Sequence, residues 1–81
     1  MKKLSYEKAK ALCNTIRKKY SKERKLGEFC EAHDINYRNL SAALHEDAEK
    51  MYPKLLQKVL EAEGNTVAIK KRIIYEFEVG D

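Results

Sequence analysis

The chain has 81 residues, 37% of them charged and 43% hydrophobic, a balance that fits one soluble globular domain and is too short for two independent cores. No apolar run approaches the roughly 20 residues of a membrane span, and Tyr6-Glu7-Lys8 stands where the apolar core of a secretory signal would have to be, so a cytoplasmic location is expected. The net charge of +4 is uneven: residues 1–25 hold ten Lys or Arg against two Glu, residues 26–50 two against six acids, and residues 51–81 five against five.

In chain order, Ala9, Leu12, Cys13, Ile16 and Tyr20 recur at helical spacing and predict a first helix from about Leu4 to Tyr20, with Ser5 as N-cap. Its other face carries Lys8, Lys10, Arg17 and Lys18. Ser21-Lys22-Glu23-Arg24-Lys25 is then a basic junction, with Ser21 placed to cap a second helix. A basic segment of this kind attracts a polyanion, although a solvated Lys-rich helix face would look the same. In residues 26–33, Leu26, Phe29, Cys30 and His33 share one side of a short helix. Asp34 tolerates the left-handed conformation of a tight turn, Ile35 supplies an apolar plug, and Asn36 is a good N-cap. The helix of residues 37–45 then points Leu40, Ala43 and Leu44 inward and Tyr37, Arg38, Ser41, Ala42 and His45 outward.

The stretch from Leu26 to His45 resembles the helix-turn-helix of the phage repressor and Cro-like transcriptional regulators. Phe29 and Cys30 stand at that family's large and small apolar positions in the first helix, where Ala is usual at Cys30. Asp34-Ile35 stand where the family's turn has Gly and an aliphatic residue, and Leu40 and Ala43 match its buried aliphatics. The departures are Cys30, Asp34 and Ala43, each small or tolerant of a turn. The resemblance implies a second helix that enters the major groove, with base contacts from Asn36, Tyr37, Arg38, Ser41, Ala42 and His45. It also places the junction near the DNA backbone, which makes Lys22, Arg24 and Lys25 the expected phosphate contacts.

Beyond His45, the acids Glu46, Asp47 and Glu49 would be repelled by phosphate and are expected to leave the groove. Pro53 suits the first turn of a fourth helix, whose stripe of Leu55, Leu56, Val59 and Leu60 ends near Gly64-Asn65. That helix reads as a lid over the first three. From about 66 to 79 the period becomes alternating. Ile73, Tyr75, Phe77 and Val79 share one face of a strand, and Arg72, Ile74, Glu76 and Glu78 the other. Val67 and Ile69 suggest a shorter strand before it, with Lys70-Lys71 near the bend. Such a hairpin either packs on the fourth helix or pairs with its twin in another subunit.

The whole, residues 1–81, is thus expected to be one mainly α (α+β) domain of four helices followed by a C-terminal strand or hairpin. Cys13 and Cys30 read as small core hydrophobes. Cys30 and His33 are three apart, but Cys13 and His45 lie too far off to complete a zinc site, so no metal and no cofactor is expected. Ser41 and His45 share a face without an acid placed to orient the imidazole, and Gly27, Gly64 and Gly80 build no phosphate loop. An enzyme is therefore not expected, nor a small-molecule substrate. The reading is a sequence-specific, repressor-like regulator of double-stranded DNA, acting as a homodimer. The alternative is a protein-interaction module, such as an antitoxin or phage-type accessory factor, that pairs with its partner through the C-terminal strand.

Overall fold

The computed structural model describes residues 2–48, 50–71 and 75–80. Its order is β1 (Lys2–Ser5), α1 (Tyr6–Lys22), α2 (Leu26–Ala32), α3 (Tyr37–Ala43), α4 (Pro53–Ala62), β2 (Thr66–Lys71) and β3 (Tyr75–Gly80). The α+β class and the four helices are as the sequence led us to expect. The N-terminal strand is not. Leu4, read as the start of the first helix, lies in β1, where Lys2 pairs with Val79 and Leu4 with Phe77. With two lysines ahead of it, Leu4 is the only buried side chain of this strand, so no alternation marks it.

Ser5 ends β1 and starts α1, its hydroxyl accepting the Lys8 N–H at 3.3 Å. Glu7 in the first turn and Lys19 and Lys22 in the last complement the helix dipole. Tyr6, Ala9, Cys13 and Ile16 are buried, whereas Leu12, expected inward, is 41% exposed. At 100° per residue it falls roughly 80° from the centre of that stripe, outside the contact. Tyr20 reaches back to stack on Phe29, with ring centroids 4.4 Å apart.

The sheet is antiparallel, ordered β1-β3-β2. Both strands expected near the C-terminus form and pair with each other, Val67 opposite Val79 and Ile69 opposite Phe77. The expectations for Arg72, Ile73 and Ile74 lie outside the described residues. Phe77 is fully buried at the centre of the sheet, with Tyr75 and Val79 partly buried on the same face. Tyr6 packs against this face, its ring 6.2 Å from that of Phe77. On the other face the Lys70 ammonium sits 2.7 Å from the Glu78 carboxylate and holds that acid below its ordinary value. The hairpin therefore packs within its own chain, and β1 supplies the third strand that a two-stranded ribbon needs to be stable.

Helix α4 begins on Pro53 and stops before Gly64, whose φ of +90° suits glycine. The Asn65 amide donates to the Leu60 carbonyl at 3.0 Å and closes its end. Leu56, Val59 and Leu60 are buried and Leu55 is half-buried. The helix was expected to cover the first three. Its main neighbours are instead α1 and β2, because the apolar face of the hairpin also needs a cover. The Cys13 thiol meets the Leu56 carbonyl at 3.6 Å and the Gln57 amide donates to the Val67 carbonyl at 2.9 Å, fixing α4 to both. Among the described residues, no helix is long and apolar enough to cross a membrane.

Candidate nucleic-acid interface

Two helix ends of the same design set the geometry of α2 and α3. At the end of α1, Arg24 takes φ 60°; its N–H donates to the Ser21 carbonyl at 3.1 Å, and the Lys25 N–H to that of Tyr20 at 2.8 Å. At the end of α2, Asp34 takes φ 55°; its N–H reaches Glu31 at 3.4 Å, and the Ile35 N–H reaches Cys30 at 2.7 Å. Both follow the pattern in which a left-handed residue redirects the chain and satisfies the last carbonyls of a helix. Ile35 is buried just after the turn, the plug expected of it. Ser21 does not cap α2 as expected. It lies inside α1, which runs to Lys22, and α2 starts at Leu26 with Lys25 at its N-cap position making no side-chain cap hydrogen bond.

The Asn36 side chain accepts the Asn39 N–H at 3.1 Å and starts α3. Leu40, Ala43 and Leu44 are buried, while Tyr37, Arg38 and Ala42 are exposed and Ser41 is half-buried. Tyr37 is 54% exposed, high for a large aromatic. Arg38 has no ion-pair partner among the described residues, and Asp34 is paired with Lys58 instead. Of the expected base-reading residues, Tyr37, Arg38, Ser41 and Ala42 thus share one open face of one helix.

The other two differ. Asn36 has its amide oxygen committed to the cap, which leaves its N–H donors outward. His45, read as the last residue of the helix 37–45, lies beyond it: α3 ends at Ala43 with Leu44 as its cap. Beyond the helix end the Lys10 ammonium takes the His45 carbonyl at 2.7 Å and the imidazole Nδ1 accepts the Asp47 N–H at 3.2 Å, which hold His45 in the turn that follows. His33, placed inward from the sequence, is exposed, its ring 5.0 Å from Phe29. Cys30 next to it is buried, and burial pushes its thiol up.

Lys22, Arg24 and Lys25 are all exposed at the junction of α1 and α2. Comparison with protein-family models, with curated proteins and with solved structures finds no match. The chemistry of the surface must therefore be read from its own residues. Sequence reasoning placed Lys10 only on the outer face of the first helix and passed over Lys54 and Lys58. Lys58 donates to the Asp34 carbonyl at 3.1 Å and stands 3.9 Å from its carboxylate, so α4 contributes cations next to the turn. The available signal was the spacing of Lys54 and Lys58, four apart on the face opposite the apolar stripe of α4.

Proposed function

We propose that this chain is a sequence-specific double-stranded DNA-binding regulator, repressor-like in action, that lays α3 in the major groove and works in the cytoplasm as a homodimer. It needs no cofactor for this and carries out no catalysis. The observation that carries the reading is the open face of α3: an arginine with no ion-pair partner among the described residues, an exposed tyrosine, a hydroxyl and a small alanine on a helix whose other side is core. Packing gives these residues no reason to be there, whereas an arginine fork near a helix start matches guanine O6 and N7. The cluster of Lys22, Arg24 and Lys25 adds the backbone affinity. A seven-residue helix reads few base pairs, and a two-fold pair of such helices, about 34 Å apart, doubles the number it can read.

In the rival reading, a protein-interaction module, the C-terminal strand pairs with a partner. Strand β3 is paired on both sides within the chain, which leaves such a role to the edges of β1 and β2.

The test is a gel shift on genomic fragments from around the chain's own gene, followed by titration of the bound site and each of its single-base variants. Arg38→Ala is expected to cost about 1–3 kcal/mol and to relax preference at one base pair per half-site. A uniform loss over all variants would make Arg38 a phosphate clamp, and no loss would take α3 out of the groove. Absence of duplex binding at low salt would end the regulator reading.

A further inference from the structure

Between the turn, the start of α3 and the start of α4 runs an open groove of about 500 Å³, mostly apolar where Tyr52, Pro53 and Leu55 line it and edged by polar groups of Asp34, Asn36, Asn39, Lys54 and Lys58. Resting on the DNA-binding reading above, we propose that this groove seats a backbone phosphate of the bound duplex, with Lys54 as its ligand and Lys58 as a clasp that cancels the charge of Asp34.

The charge pattern decides the occupant. Asp34 is required to be small and turn-tolerant, but its carboxylate is fully exposed (relative exposure 104%) two residues before the cap of α3. Left alone, it would repel any phosphate approaching the reading face. Lys58 holds both its carbonyl and its carboxylate. An ion pair this exposed contributes little to folding, so its consequence lies in the field it leaves. With Asp34 cancelled, Lys54 is the uncompensated charge of the groove; it is exposed and has no hydrogen-bond or ion-pair partner among the described residues. It lies one turn before Lys58 on the same helix, and α4 is held rigidly by the burial of Leu56, Val59 and Leu60. The acids Glu46 and Asp47 follow the opposite end of α3. A phosphate strand flanking α3 therefore finds attraction on the α4 side of its start and repulsion beyond its end.

The experiment uses the full chain carrying Lys54→Gln, Lys58→Gln, Asp34→Asn, or the last two together, titrated against a bound duplex and a scrambled one over a range of salt. Asn keeps the left-handed turn, and circular dichroism with thermal melting checks that each variant folds. Lys54→Gln is expected to weaken both duplexes equally and to lower the log-log salt slope by about 0.9. Lys58→Gln should weaken binding, and adding Asp34→Asn should restore it to wild type. If the wild type binds with a steep salt slope that Lys54→Gln leaves unchanged, the groove holds no phosphate and the proposal falls while the regulator reading stands. If Asp34→Asn fails to rescue Lys58→Gln, Lys58 is no clasp and that part of the assignment is overturned. A wild-type chain that binds neither duplex overturns the DNA reading and the groove assignment with it.

Discussion

Arg24 and Asp34 occupy the same place in consecutive helix ends, with φ of 60° and 55°, yet only Asp is a residue that visits this conformation readily. Glycine at position 24 would remove a left-handed penalty of about 1–2 kcal/mol at an entropic cost of about 0.5–1 kcal/mol. Arg24→Gly should therefore raise stability by about 0.5–1 kcal/mol in urea unfolding while weakening duplex binding. A variant that is less stable, or that binds DNA as well as wild type, would show that the arginine is not kept there for its charge. Cys13 gives a prediction of another kind. Burial pushes its thiol from an ordinary 9.0 up to about 12, so between those values the unfolded chain has released a proton that the folded chain still holds. Stability then falls as pH rises above 9.0, by about 1.4 kcal/mol per unit, and levels off only near the folded value. Tyr6, raised by burial and to a smaller degree by the Cys13 charge, adds to the loss in both chains and slightly less in Cys13→Ala, which acts in the same direction. Urea unfolding at pH 8 and pH 10 should show a smaller loss in Cys13→Ala than in wild type, whatever the variant's lower starting stability. Equal losses would place the thiol in contact with water.

Each element was legible to the degree that its own residues carried the signal. The turn at Asp34-Ile35, the cap at Asn36 and the two faces of α3 follow from local chemistry and helical spacing, and the structure places them accordingly. The end of α3 was not legible: His45 continues the helical spacing, yet it lies in the turn beyond Ala43, where its carbonyl meets Lys10, 35 positions away. Nor was the placing of Lys58, whose partner Asp34 lies 24 positions off. Strand β1 is the clearest case of a non-local element: it exists because β3 offers an unpaired side, and only Leu4 records the fact. Leu4→Ala removes the one buried side chain of that strand and should cost about 2 kcal/mol, the low end for a buried leucine, since it lies at the sheet's outer strand. Chemical denaturation measures it. A cost near zero would mean that β3 holds without its neighbour and that the sheet is a two-stranded ribbon in effect.

Over the whole molecule, the separation of charge is larger than the net charge suggests. Residues 1–25 carry ten basic groups against two acids, residues 26–50 two against six: Lys22, Arg24 and Lys25 cluster at the junction of α1 and α2, while the acids are spread over α2 and its end, at Glu28, Glu31 and Asp34, and beyond α3, at Glu46 and Asp47. A duplex carries about one negative charge per 1.7 Å of its axis with a condensed layer of counterions, and each phosphate neutralised by a lysine or arginine releases part of that layer. The release is an entropy gain that shrinks as bulk salt rises, so affinity should fall linearly on a log-log plot against salt, with a slope that reports how many phosphates are neutralised. Replacing Lys22, Arg24 and Lys25 together by Gln is expected to reduce that slope by about 2.7, roughly 0.9 for each phosphate that no longer meets a cation. The weakening should be the same for a specific and a scrambled duplex, since phosphates carry no sequence, and the ratio of the two affinities should survive. That distinguishes the junction from α3, where removing an arginine changes the ratio. Fluorescence anisotropy at four or five salt concentrations gives both quantities from one set of titrations. A slope unchanged by the triple substitution would place the duplex away from the α1–α2 junction, and a ratio that collapsed with it would make these side chains readers of bases.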